Sequence, residues 1–163
     1  MLNLQVREGD AILNSENKPV IGWREWVSLP GLGIDQIKVK VDSGARTSAL
    51  HTFRLEPFQK EGLDWVSFDV HPNQYDLDTV IRCEAPVRDI RTVTDSGGHQ
   101  SQRYVILTDI LIGDQQYPIE LTLTNRDTMR FRMLLGRTAM NGRFLIDPEG
   151  AYLISQGIHP PEQ

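Results

Sequence analysis

Asp42, Ser43 and Gly44 put a carboxylate in a tight turn directly after Lys38, Val39, Lys40 and Val41, an alternating stretch that reads as a strand. A carboxylate at a strand end can act as a general base on water if a glycine lets backbone approach and a hydroxyl steadies its outer oxygen. Amide hydrolysis by carboxylates needs two of them about 3 Å apart and sharing one proton, because like charges so close cannot both ionise. One such Asp per chain predicts that Asp42 of two copies meets at a two-fold axis. Ser43 would then hydrogen-bond across the pair, while Gly44 and Ala45 leave room for a substrate backbone. Asp147 is an alternative partner, although Asp147, Pro148, Glu149 and Gly150 read more simply as a type I turn. The triplet recurs at Asp95, Ser96 and Gly97, with no comparable strand expected before it, and reads there as a turn.

A second pattern lies downstream. Met133, Leu134 and Leu135 read as a buried strand, and Gly136 marks a place where backbone passes close to backbone. A short helix over 137–141 follows, stopped by Gly142. Gly97 and Gly98 sit at the tip of an expected hairpin just before the strand that begins at Arg103, the place that the mobile flap over substrate holds in the retropepsins, a family that these motifs resemble. Arg46 follows Ala45, and thirteen of the 17 basic residues are Arg, the planar bidentate partner of carboxylates. Arg46, with Arg137 and Arg103, is therefore expected to bind a carboxylate-rich peptide.

Ten strand-type segments (26–29, 37–41, 65–70, 79–82, 87–92, 103–112, 117–124, 132–135, 143–146 and 151–154) alternate with turn signals and predict an all-β barrel or sandwich. The 163 residues make one domain, expected over 20–155, with an arm at 1–19 and a tail at 156–163. A net charge of −5 argues against nucleic acid as a partner. No apolar run reaches the ~20 residues of a membrane span, and a cytoplasmic location is the expectation. Cys83 is the single cysteine, which rules out an internal disulfide. His51, His71, Cys83 and His99 have no metal-ligand spacing, and neither a His-Glu-x-x-His helix nor a phosphate-binding glycine loop occurs, so no metal or cofactor is expected. His51 is expected to hydrogen-bond behind the Asp42 loop.

Together the Asp42 and Leu134–Leu135–Gly136 motifs, with a hairpin between them over 104–123, resemble the half-domain of a retropepsin. The block 21–26, the block 38–51, Leu134 to Arg137 and Arg143 to Asp147 are similar to a bacterial family of retropepsin-like proteins often labelled ATP-dependent zinc proteases. The resemblance implies a single-lobed acid-protease barrel with one short helix, acting as a homodimer and hydrolysing peptide bonds through Asp42. Retropepsins usually carry an acid where this chain has Arg46, which reverses the charge preference. Members of the family are associated with glutamate-adding ligases, in keeping with an acidic substrate. A non-catalytic peptide-binding module of the same fold, and a metal-dependent peptidase, are the competing readings.

Overall fold

In the computed structural model the described residues are 17–94, 97–125 and 130–155. They form eleven strands: β1 (Val20–Ile21), β2 (Arg24–Leu29), β3 (Ile34–Val41), β4 (Ser48–His51), β5 (Phe53–Lys60), β6 (Leu63–Val70), β7 (Ile81–Thr94), β8 (Gln100–Ile112), β9 (Gln115–Thr124), β10 (Met133–Leu135) and β11 (Leu145–Ile146). Neighbour follows neighbour in the order β2, β3, β10, β4, β9, β8, and the pairing of Ser28 with Leu111 returns β8 to β2. The result is a closed six-stranded barrel filled by Ile34, Ile37, Val39, Leu50, Ile106 and Met133, all fully buried. Closure gives the inward-facing apolar residues one shared interior. No helix of the described residues is long and apolar enough to cross a membrane.

The expected all-β, single-lobed barrel is what the chain adopts, and the expected helix at 137–141 is a 3₁₀ turn over Arg137–Ala139. A second 3₁₀ turn, Pro30–Leu32, joins β2 to β3 and ends at Gly33, whose φ of 74° needs a residue without a Cβ. Three strand expectations need correction. The segments 79–82 and 87–92 belong to one strand, β7, which pairs with β6 through Pro86 and with β8 from Val87 onward. Residues 151–154 are not a strand, because their N–H groups go elsewhere: Tyr152 to the Arg24 carbonyl and Leu153 to the Glu25 carboxylate. The segment 143–146 contributes only Leu145–Ile146, paired in parallel with β1. The expected tail at 156–163 and most of the expected arm at 1–19 lie outside the described residues.

Beyond the barrel, β7, β6 and β5 continue the sheet as an antiparallel extension. Arg54 stands at a bulge in β5 with φ 46°, which aims its guanidinium at β6. There it grips the buried Asp69 with two hydrogen bonds of 2.9 Å, and Arg82 adds a third at 3.1 Å. The Arg54 and then the Arg82 hydrogen bonds hold the Asp69 carboxyl down to about 2. Since that value lies below the ~3.9 of an unfolded Asp, this stabilisation is complete above about pH 4 and is lost as pH falls toward 2. Arg54→Met should therefore lower stability at pH 7 in urea melts, and the gap from wild type should close as pH falls through that window.

Candidate active site

β10 is threaded between two strands that are neighbours in sequence. It runs parallel to β3, Leu135 beside Val41, and antiparallel to β4, Met133 beside Leu50. A chain leaving β3 can reach β4 only by arching over the end of β10, and the arch is the segment 42–47 that begins with Asp42. Hydrogen bonds fasten it on both sides. The Asp42 N–H donates to the Leu135 carbonyl at 2.9 Å, the Arg137 N–H to the Ala45 carbonyl at 2.7 Å, and the Thr138 N–H to the Arg46 carbonyl at 3.0 Å. Gly136 passes directly beneath, where a Cβ would stand 2.5 Å from the Thr47 carbonyl carbon, and its N–H donates to the buried Ser48 hydroxyl at 2.9 Å.

Within the arch Asp42 is half-buried, and its Oδ1 accepts the Gly44 N–H at 3.0 Å. The Ala45 N–H returns to the Asp42 carbonyl at 3.2 Å and closes the turn. A side chain on Gly44 would sit 3.3 Å from Oδ1, so the missing Cβ keeps the carboxylate where it is. Ser43 is exposed, and its carbonyl accepts a 3.0 Å hydrogen bond from Arg137 Nη1. Arg137, expected to face substrate, thus braces the Asp42 turn. The 3₁₀ turn it begins is anchored by the Tyr117 hydroxyl, donating to the Ala139 carbonyl at 2.6 Å. Burial pushes that phenol up to about 12, so it keeps its proton.

Arg46 is exposed and lines a pocket of about 230 Å³ with Thr47, Arg91, Glu120 and Thr138. Arg91, which the sequence reading did not place in the site, reaches it from β7. Its guanidinium is held by Glu120 at 3.0 Å and Asp89 at 2.9 Å, and these hydrogen bonds, Glu120 first, raise its pKa. Glu120 is also 3.7 Å from Arg88, so the one acid of this pocket is already paired. Arg91 is thus engaged by Glu120 and Asp89, and Arg46 is the exposed cation of the pocket.

Arg103 is not among the residues of that pocket. It faces Arg91 across β7 and β8 and donates to the Ser101 hydroxyl at 2.8 Å. Gly97 and Gly98 are exposed at the tip of the same hairpin, with Gly98 at φ 85°. Asp95 and Ser96 lie outside the described residues, and β7, ending at Thr94, precedes them as a strand of the expected hairpin. Asp147 serves its own turn, accepting the Glu149 N–H at 3.0 Å, as the turn reading has it.

The four candidate metal ligands lie in different parts of the fold. The His51 N–H ties β4 to the Arg132 carbonyl at 2.8 Å, and His71 stacks on Phe53 at 4.1 Å. Burial, aided by Asp69, pushes the Cys83 thiol up to about 12, and His99 is exposed near the hairpin tip. Among the described residues no three His, Cys, Asp or Glu come together as a metal site.

Glu25 had no assigned part, yet it is fully buried. Its carboxylate accepts the N–H groups of Gly22, Leu153 and Ser155 at 2.6, 2.8 and 3.2 Å and the Ser155 hydroxyl at 2.7 Å. Arg24 lies between the rings of Trp23 and Tyr152, 4.7 and 4.9 Å from their centres. The segment so fixed supplies the Trp23 carbonyl that accepts the Val41 N–H at 2.8 Å, directly before Asp42.

A single small barrel with an Asp at the end of one strand, on an arch over a strand threaded between its neighbours, is a retropepsin-like fold. The chain belongs to the RimB-like family, described as retropepsin-like aspartic endopeptidase RimB, whose profile matches residues 20–156. A relative in Parasynechococcus marenigrum, named probable alpha-L-glutamate ligase, is 54% identical over 135 residues, 83% of this chain and 29% of that protein. Relatives with the same name in Shewanella pealeana and Desulfotalea psychrophila are 46% and 51% identical over 87% and 80% of this chain. They are matched over 31% and 28% of their own lengths, so the chain spans less than a third of these curated relatives. A crystal structure of a Legionella pneumophila protein of unknown function shares the fold, with a TM-score of 0.69, 24% identity, and coverage of 83% of this chain and 98% of that one.

Proposed function

We propose that this chain is an aspartic-type endopeptidase that works as a homodimer on acidic peptides. The carrying observation is Asp42, set at the end of β3 on a turn pinned to Leu135 and Arg137, with Oδ1 held by the Gly44 N–H. In the dimer two Asp42 carboxylates share one proton. The ionised one takes a proton from water as its oxygen attacks the scissile carbonyl carbon, while the protonated one donates to the carbonyl oxygen. Collapse of the tetrahedral intermediate breaks the C–N bond, and the amine leaves with the proton taken from water. An isologous contact also needs apolar surface, and Val20, Leu145 and Ile146 of the small β1–β11 sheet remain exposed.

The acidic substrate is supported by the Arg46–Arg91 pocket. It is also supported by the relatives named probable alpha-L-glutamate ligase, since that name puts glutamate among the groups they handle. The same names favour a second reading, a peptide-binding module without activity of its own. The test is incubation with a glutamate-rich peptide and a neutral analogue of equal length, with products read by mass spectrometry. Arg46→Glu should cut turnover of the acidic peptide about tenfold or more and spare the neutral one. Equal loss on both would remove the charge preference, and no product from wild type would favour the module.

A further inference from the structure

The pocket beside Arg46 does not end there. Leu107 and Pro118 form its far wall and are also a wall of a larger cleft, about 680 Å³, on the barrel's flank. The cleft exists because β7 changes partners. Up to Pro86 it pairs with β6, and from Val87 onward with β8, so the β7–β8 ladder stops at Ile106 and the cleft opens beyond it. Between Ile106, the last β8 residue paired with β7, and Leu111, paired with Ser28, β8 has β9 as its one strand neighbour. An extended peptide can lie along such a one-sided strand.

The chemistry of the cleft is unlike that of the Arg46 pocket. Pro30, Trp65, Pro86, Leu107 and Pro118 give it an apolar surface, and Leu107 is 46% exposed. Its charges are Glu84 and Asp109, and among the described residues that line it there is no Lys or Arg. The two pockets adjoin at Leu107 and Pro118, the one with Arg46 suited to carboxylates and the other to apolar groups accompanied by a cation.

We propose that this cleft is an exosite for the same polypeptide whose acidic run enters the Arg46 pocket, and that it binds an apolar, lysine- or arginine-bearing stretch next to that run. The proposal rests on the acidic-peptide reading of the Arg46 site and adds what selects one acidic peptide over another. Apolar side chains cover Leu107 and the prolines, and the cation meets Glu84 and Asp109. Linking the two stretches makes binding of the second intramolecular, so affinity rises without any change at Asp42.

The test uses the whole chain and fluorescence anisotropy with three labelled peptides: a glutamate run, the same run joined to an apolar lysine-containing stretch, and that stretch alone. The joined peptide should bind about tenfold tighter than the glutamate run. Glu84→Lys, an exposed change remote from the Asp42 turn, should remove that gain and leave the Kd of the glutamate run unchanged. Equal affinity of the joined and acid-only peptides for wild type overturns the exosite, as does an equal effect of Glu84→Lys on both. The titrations are repeated in the Asp42→Asn background, where the joined peptide stays intact, so the exosite is read apart from cleavage. Failure of the peptidase reading shows instead as intact peptides, and failure of the acidic site as no binding of the glutamate run.

Discussion

Replacing Asp42 by Asn should lower kcat/KM for an acidic peptide by about 10³-fold or more, with binding and folding preserved. The amide has nearly the same shape as the carboxylate, and its oxygen can still accept the Gly44 N–H that Oδ1 accepts at 3.0 Å. The turn is held by backbone bonds to Leu135 and Arg137 that the change does not touch. What Asn cannot do is take a proton from water or share one with its partner, so the loss falls on kcat. The measurement is a progress curve for peptide cleavage beside a thermal melt and a peptide titration. Loss of cleavage with an unchanged melt and Kd places Asp42 in the chemistry. Cleavage at the wild-type rate would take Asp42 out of the reaction, and absence of cleavage in both proteins would leave the peptide-binding module as the surviving reading.

The Asp42 turn and the Leu-Leu-Gly element were legible because each carries its physical requirement in adjacent residues. A β-branched run, an acid and a glycine state a strand, a functional group and a close approach within a few positions. Arg91 was not legible as part of the Arg46 pocket, because it arrives there only through the registers that set β7 beside β8 and β8 beside β9. Glu25 stands just before the expected strand 26–29 with no sign of burial in the sequence, and only the fold reveals the N–H groups of Leu153 and Ser155 that make its burial tolerable. The apolar run at 151–154 suggested a strand for a related reason, since pattern records which residues are apolar but not which backbone groups lack a ladder partner. β5 was missed from the opposite side. It is an edge strand with Arg54, Glu56, Pro57, Gln59 and Lys60, the polar and proline content that discourages edge pairing and hides a strand from hydrophobic pattern.

Gly136→Ala should be the most damaging single methyl that the chain can be asked to accept near the site. Its Cβ would stand 2.5 and 2.7 Å from the carbonyl carbon and oxygen of Thr47 and 2.8 Å from the Ser48 nitrogen. All three are backbone atoms, so no rotamer change can relieve the contact and the arch must move off β10. The bonds at risk are those that fix the turn, from Arg137 N–H to the Ala45 carbonyl and from Thr138 N–H to the Arg46 carbonyl. A cost of about 3 kcal/mol, seen as a melting temperature about 6–12 °C lower, is the expected stability effect. Displacement of Asp42 should add a fall in activity of about 10²-fold in the fraction that remains folded. Gly44→Ala separates the two effects. Its Cβ meets only the Asp42 Oδ1, at 3.3 Å, so activity should fall while the melt shifts little. Gly136→Ala melting like wild type would mean that the arch is not held against β10, and the account of how Asp42 is positioned would fail with it.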